Sequence, residues 1–370
     1  MDSRRPPSYD WLLLLLTIAL LGLGLLIISS ATGSMARAAT SWRDVPVLRQ
    51  GINIAVSGVA MALATLVNYR FWAKYRWLLF LGALLVLGVV LLAGRVLFGA
   101  QSWFEVWTFG IQPSELAKIV LIIVLARYFA DNELAVKRGT GLVVSFGITL
   151  PLLGLIFVQP DMGTAAVLLA IWFGMLFVAG VPFRHLILLG LAGLVLAPLV
   201  WGLMQPYMRD RILSFIHPET DPSGQDYNVI QALISVGSGG LWGKGLGQGS
   251  QSQLAFLRVR HTDFIFSVLA EELGLVGCLL LLALMAALLL RILRIAGRTG
   301  DPYGRLVAAG VAMMIFVQVA INVGFNIGVL PVTGLPLPLI SYGGSSLIAT
   351  LIGIGLAQSV TIYHQPAEGV

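Results

Sequence analysis

Arg260-His261-Thr262-Asp263-Phe264-Ile265-Phe266-Ser267 is where the chain changes solvent. The segment before it, 204–261, is polar and rich in glycine, and the segment after it, 262–291, is almost continuously apolar. An apolar run of that length predicts a helix crossing a bilayer, which takes about 20 residues. One carboxylate, Asp263, stands at its mouth, with Arg260 and His261 on the wet side and Phe264, Ile265 and Phe266 on the dry side.

The same pattern repeats along the chain. Of 370 residues, 58% are hydrophobic and only 11% charged, against about 25% charged in a soluble domain. Apolar runs predict ten spans, near 10–30, 51–68, 77–97, 113–130, 141–158, 161–180, 183–203, 262–291, 303–328 and 340–362. The expected fold is therefore an all-α polytopic membrane protein of about ten transmembrane helices. It forms a single integral-membrane domain over 1–370, with one large loop, 204–261, between helices 7 and 8. Regularly alternating short strands are missing, which disfavours an outer-membrane barrel. The net charge of +6 is read as an orientation signal, not as nucleic-acid binding. The lone Cys278 excludes an intrachain disulfide, and four scattered histidines disfavour a His/Cys metal centre. The run Trp11 to Ile28 behind Arg4 and Arg5 resembles a signal peptide but is longer than the usual apolar core, so it is expected to remain as the first helix.

Orientation follows from where the basic residues fall. Loops that face the cytoplasm if the N-terminus does carry Arg4, Arg5, Arg70, Lys74, Arg76, Arg127, Lys137, Arg138, Arg184, Arg291, Arg294, Arg298 and Arg305. The short loops opposite carry Arg37, Arg43, Arg49 and Arg95. Thirteen against four favours both termini inside, the long loop being discounted because such loops translocate regardless of charge. Every even-numbered helix then begins at the outer face. Those four entries are Gln112-Pro113-Ser114-Glu115-Leu116-Ala117-Lys118, Gln159-Pro160-Asp161-Met162-Gly163-Thr164, His261-Thr262-Asp263 and Ser341-Tyr342-Gly343-Gly344-Ser345-Ser346. They hold the most unusual polar residues of the chain, so a site opening outward is expected.

Each cluster has a plain structural reading beside a functional one. Pro113 suits the first helical position, and Glu115 behind it can cap the helix. That does not explain Lys118, a cation near a positive helix end and followed by an apolar run, where a charge usually faces a cavity or a partner. Three residues apart, the two share a face and form either a structural ion pair or an anion-binding element. Asp161 is a helix cap or a site residue; converging helix N-termini also offer free N–H groups to phosphate oxygens. A carboxylate such as Asp263 at a polar–apolar border has its pKa raised toward that of a useful base. Glu271 lies about two turns deeper on much the same side, Glu272 nearly opposite, and the pair demands a polar cavity or partners. The run from Gly237 to Gly249, with Lys244 inside it, permits close backbone approach to phosphate or sugar, or is a loose loop. Tyr207 to Leu213 is a short headgroup-level helix or a solvated connector. Three prolines between Gly328 and Leu339 predict a stiff apolar loop, and Asn322 and Asn326 a polar stripe or helix–helix glue.

The strings 112–118, 159–164, 237–246, His261 to Phe266 and 334–346 resemble, in order, the motifs of the bacterial SEDS family (shape, elongation, division, sporulation). Tyr207 to Phe215, Gln251 to Leu257 and Pro331 to Gly334 make the chain similar to its RodA-type, elongation branch. Gly99 to Trp103 and Leu257 to Arg260 depart from the usual pattern. The resemblance implies a peptidoglycan glycosyltransferase of the bacterial cytoplasmic membrane that polymerises lipid II, a disaccharide-pentapeptide on undecaprenyl pyrophosphate. It also implies a class B penicillin-binding protein as partner and Asp263 as the essential carboxylate.

With that substrate, Asp263 takes the proton from the acceptor 4-hydroxyl, which displaces the pyrophosphate with inversion. Lys118, Glu115, Asp161, Lys244, Arg209 and Ser345 are the candidate substrate and pyrophosphate contacts. A divalent cation, Mg2+ or Mn2+, is an alternative source of positive charge, and would make Asp263 a ligand instead of a base. Two rival readings stand beside this one: a lipid II flippase, and a non-catalytic scaffold for a penicillin-binding protein.

Overall fold

In the computed structural model, residues 9–33, 45–93, 95–97, 100–106, 109–216, 225–253, 257 and 260–363 are described. Arg4, Arg5, Arg37 and Arg43 of the orientation count lie outside them, as do 254–256 and 258–259 of the sequence motifs and the side chains of 93–111.

The chain runs α1 (Trp11–Ala31), α2 (Pro46–Leu66), α3 (Tyr69–Lys74), α4 (Arg76–Ala93), β1 (Arg95–Leu97), β2 (Ala100–Val106), β3 (Phe109–Ile111), α5 (Pro113–Asp131), α6 (Glu133–Lys137), α7 (Thr140–Val158), α8 (Met162–Val178) and α9 (Phe183–Leu203). It continues through α10 (Pro206–Ile216), α11 (Gln225–Ser238), α12 (Ser250–Gln253), α13 (Ile265–Arg298), α14 (Pro302–Asn326) and α15 (Gly344–Tyr363). Among the described residues, α1, α2, α7, α9, α13, α14 and α15 are long and apolar enough to cross a membrane. The apolar helices α4 and α8 are shorter, and α5 carries Glu115, Lys118, Arg127 and Asp131 along 19 residues. These ten helices stand where the ten apolar runs predict them. The chain is a multi-pass membrane protein.

Local chemistry sets the helix ends. Asp10 caps α1 through the Leu13 N–H, 3.0 Å, and its other oxygen pairs with Arg291 at 2.7 Å. Asp301 caps α14 through the Tyr303 N–H, 3.2 Å, with Pro302 in the first turn. The same Asp301 accepts from Tyr69 Oη, 2.5 Å, and Arg70 Nε, 3.3 Å, while Ser359 of α15 accepts from the Tyr69 N–H, 3.0 Å. This mesh closes one end of the bundle.

α14 and α15 form its centre, with α5 against both; most of the α14 and α15 surface is buried. α15 lies so close to α2 that a methyl added at Gly355 would stand 2.6 Å from the Met61 carbonyl oxygen, the small-residue packing typical of membrane helices. At the other extreme, α9 is only 6% buried.

Three features go beyond the apolar pattern. The predicted span 77–97 ends at Ala93 and gives way to a three-stranded antiparallel meander, β1-β2-β3, in which Arg95 pairs with Trp103 and Phe104 with Ile111. β-branched and aromatic residues over so short a stretch favour strand over helix. The polar segment 204–261 contains α10, covering the expected short helix at 207–213, and also α11, whose 14 residues the apolar pattern does not mark. α13 runs 34 residues and is broken at Gly274, φ 65°, ψ −164°.

Candidate active site

Asp263 sits in the turn just before α13. Its main-chain carbonyl accepts from Asn322 Nδ2 at 3.0 Å and Asn326 Nδ2 at 3.1 Å, both on α14. Asn322 Nδ2 also donates to the Leu335 carbonyl, 2.8 Å, and Asn326 Oδ1 accepts from Ser267 Oγ, 2.6 Å. The asparagine stripe therefore fastens the mouth of α13 and the proline loop to one helix. Ser341 Oγ donates to the Thr262 carbonyl, 2.6 Å, and the Tyr342 N–H donates to the His261 carbonyl, 2.9 Å. The backbone on both sides of Asp263 is thus fixed from two directions.

The carboxylate itself is half-buried at the surface but deep in protein density. Burial pushes its pKa up to about 6, against the opposing pull of the Arg211 guanidinium and of a hydrogen bond from Thr262. Gly334, φ +74°, brings the proline loop against both charges: a methyl there would lie 3.6 Å from Arg211 Nη1 and 3.7 Å from Asp263 Oδ2. Burial and the Arg260 charge push the His261 imidazole below its usual pKa, so it is neutral at neutral pH.

Arg211 is the residue the sequence reading missed. It lies on α10, donates to the Val332 carbonyl at 3.4 Å and to Tyr207 Oη, and stacks 4.5 Å over the Tyr207 ring. Its buried Nε–H has no protein partner, and neither do the buried hydroxyl of Thr333 or Nδ1 of His261. A buried donor without an acceptor is costly, and Arg211 and Thr333 leave two such groups beside Asp263 with hydrogen-bonding capacity to spare. Arg209, two residues earlier, instead donates to the carbonyls of Trp201, 3.0 Å, and Gly202, 2.7 Å. It terminates α9 and is not turned to Asp263. The signal that separates the two arginines is helical phase, legible only once α10 is known to be a helix docked on its Arg211 side.

The other helix entries converge. Asp161 takes the capping role and ties two helix starts together. Its Oδ1 caps α8 through the Thr164 N–H, 3.0 Å, while Oδ2 accepts from Gln112 Nε2, 2.9 Å, and Ser114 Oγ, 3.3 Å, at the start of α5. Ser345 accepts from the Gln112 N–H, 2.9 Å, joining α15 to the same knot. Gly163 abuts the proline loop, its added methyl standing 2.9 Å from the Thr333 carbonyl oxygen. Glu115 and Lys118 form an ion pair at 2.7 Å, both sealed from solvent at 2% and 0% exposure.

Lys244 is drawn elsewhere. Its ammonium donates to Glu271 Oε1, 2.8 Å, and to Ser250 Oγ, 3.0 Å; Glu271 also accepts from the Gln251 N–H, 3.0 Å. Glu272 accepts from Ser30 Oγ, 2.7 Å, which in turn accepts from the Gly247 N–H, 2.7 Å. The break at Gly274 lets the loop backbone join in. Lys244 and Gly245 N–H donate to the carbonyls of Glu271 and Glu272, both 3.0 Å, and Leu275 and Val276 N–H donate to those of Gly240, 2.9 Å, and Leu241, 3.2 Å. The partners the two glutamates demand are thus supplied by the glycine-rich loop and α1. Glycine is required where it lies closest, since a methyl at Gly239 would fall 1.9 Å from the Ala270 carbonyl oxygen.

Among the described residues, no three His, Cys, Asp or Glu side chains converge to hold a metal. A lone carboxylate facing a guanidinium does not fit a resident metal cage.

The cell cycle protein family FtsW/RodA/SpoVE matches residues 10–365. The chain belongs to this family. Peptidoglycan glycosyltransferase MrdB of Escherichia coli K12 is 40% identical over 367 residues, covering 96% of this chain and 94% of MrdB. Stage V sporulation protein E of Bacillus subtilis 168 is 39% identical over 367 residues, 98% of this chain and 100% of the relative. Among solved structures, a chain of a peptidoglycan synthase complex, studied for its coordination of polymerisation and crosslinking, superposes with TM-score 0.81 at 37% identity, covering 96% of this chain and 98% of that one. Rod shape determining protein RodA of Thermus thermophilus gives 0.70 at 34% identity, over 97% and 99%. The FtsW/RodA/SpoVE match spans all four helix entries.

Proposed function

We propose that this chain is a peptidoglycan glycosyltransferase of the bacterial cytoplasmic membrane that polymerises lipid II during cell elongation, with Asp263 as the base of an outward-facing site. The observation that carries the reading is the Asp263–Arg211 arrangement: a carboxylate poised near neutral pH beside a fixed cation and unsatisfied donors. The activity class is supported by curated relatives named peptidoglycan glycosyltransferase.

In this mechanism Asp263 accepts the proton of the acceptor 4-hydroxyl as its oxygen bonds to C1 of the donor sugar. The C1–oxygen bond to undecaprenyl pyrophosphate breaks on the opposite face, and the electron pair leaves with the diphosphate. Inverting hydrolases also use an acid for the leaving oxygen; here the leaving group is already stable as an anion, and positive charge suffices. Arg211 supplies it beside Asp263. Were a Mg2+ or Mn2+ ion used, Asp263 would be the residue to hold it, as ligand instead of base, and the ion would supply positive charge to the diphosphate. Lys118, held by Glu115, serves the diphosphate only if substrate binding opens that pair. Asp161 and Ser345 set the helix ends, while Lys244 and Arg209 act through structure. A class B penicillin-binding protein crosslinks the emerging strand.

The test is strand synthesis from purified lipid II by wild type and Asp263→Asn, each with and without a cognate class B partner, with folding checked by melting temperature. Polymer from the wild type and none from the folded variant is expected. Polymer from both removes Asp263 as the base. Lipid II crossing vesicles without polymer from either protein returns the flippase reading, and neither activity returns the scaffold reading.

A further inference from the structure

We propose that the glycine-rich loop is a membrane anchor: Leu241, Trp242 and Leu246 enter the edge of the bilayer nearest Asp263, and the Lys244–Glu271 bond carries that fixed depth to the mouth of α13.

Three side chains on this loop are left uncovered by the protein, Leu241 at 62%, Trp242 at 80% and Leu246 at 47% exposure. A loop projecting into water has no use for them. The backbone bonds to Leu275 and Val276 set the loop beside α13 at the level of those residues. From there α13 presents Leu275, Val276, Leu279 and Leu280, each about half exposed, as a lipid-facing stripe. Leu241 and Trp242 continue that stripe sideways. Trp at such a border is the common membrane-interface anchor. A hollow of about 260 Å³ opens beside Leu246, between Leu26, Ser29 and Ser30 of α1 and Gly247.

The depth agrees with helix geometry. Arg291, paired with Asp10 at the start of α1, marks the far boundary of the span. Unbroken helix from there to Leu275, 16 residues, rises about 24 Å, most of the hydrocarbon thickness of about 30 Å, and ends where the loop is bonded. The loop lies at that level. Asp263 precedes the short helical segment on the other side of the Gly274 break, beyond the end of that unbroken span. Glu271 is then neutralised by Lys244 of the loop instead of being solvated by water, which accounts for its full burial on a chain so poor in charge. The inference shares with the proposed function only the naming of the leaflet, because depth is independent of sidedness.

The experiment places a nitroxide at position 242 by Trp242→Cys in a Cys278→Ala background, with full-length protein in phosphatidylethanolamine–phosphatidylglycerol vesicles and no partner. Reference labels go on lipid-facing Leu279→Cys and on exposed Lys137→Cys. Power saturation compares collisions with oxygen, which concentrates in the bilayer, and with a water-soluble nickel chelate. Oxygen preference at 242 matching that at 279 is expected, with the same result at Leu246→Cys. A nickel preference at 242 and 246 matching that at 137 would overturn the anchor and would mark the patch as awaiting a protein partner. If the 242 variant misfolds, position 246 alone decides.

Discussion

Asn326 reaches back 63 residues to donate from Nδ2 to the main-chain carbonyl of Asp263, 3.1 Å away. The contact makes no use of the carboxylate. It sets the direction in which the carboxylate points. Replacing Asn326 by Leu, and Asn322 likewise, removes both donors and leaves that carbonyl unsatisfied, a loss of roughly 1–3 kcal/mol. Denaturation in detergent should show this, and steady-state kinetics should show kcat falling more than KM.

The Asp263 carboxyl, raised to about 6, dictates two pH profiles. Polymerisation should fall about tenfold per unit below that value, because only the ionised base accepts a proton. Stability moves the other way. The folded pKa lies above the ordinary aspartate value, so the folded state holds its proton more tightly, and the stability this gives is lost as pH rises from about 4 through 6. At neutral pH the charged form costs on the order of 3 kcal/mol. Asp263→Asn should therefore be inactive yet melt higher than wild type at pH 7.5, with the gain vanishing near pH 4. An unchanged or lower melting temperature at pH 7.5 would contradict the buried-carboxylate account.

Arg211 lowers that pKa. Arg211→Ala should push the acidic limb of the pH–rate profile upward and reduce kcat, whereas Arg211→Lys should hold the limb close to wild type while losing the planar fork over Tyr207. Equal limbs in all three proteins would remove Arg211 from the site's electrostatics.

The Glu115–Lys118 pair separates structure from function through a double substitution. Either single change, Glu115→Gln or Lys118→Met, strands a buried charge and should destabilise by about 3–5 kcal/mol. Glu115→Gln with Lys118→Met together should recover most of that stability. Polymerisation by the recovered double variant would reduce the pair to scaffolding; its loss in a stably folded protein would give Lys118 a part in binding the diphosphate.

Gly334→Ala adds a methyl beside Arg211 and Asp263 at a φ of +74°. The left-handed backbone alone costs roughly 1–2 kcal/mol, and the methyl narrows the space beside Asp263 into which the proposed mechanism brings the acceptor. A folded protein with a raised KM for lipid II is the expected result.

The all-helical, multi-pass architecture and the places of its apolar helices were legible in the sequence, because bilayer thickness leaves few ways to read apolar runs of that length. Asp263 was legible because a carboxylate at a solvent boundary is conspicuous. Arg211 was not: its neighbour Arg209 looks identical in sequence, and only the docking of α10 tells them apart. The role of Lys244 was obscured for a related reason. Its partner Glu271 lies 27 residues away, just ahead of a helix break that a single glycine, Gly274, creates without interrupting the apolar pattern. The meander at 95–111 was masked by an apolar run that continued past the true end of α4.

α9 has a different kind of support from its neighbours. Its one buried residue is Leu186, while Leu194 and Val195 are more than 70% exposed. Protein contacts do not determine where such a helix stands; the surrounding lipid does. Bilayer thickness and composition are thus structural variables of this molecule, much as ionic strength is for a nucleic acid. α9 and the Arg209 contacts at its end would be the first elements to differ between a detergent micelle and a membrane.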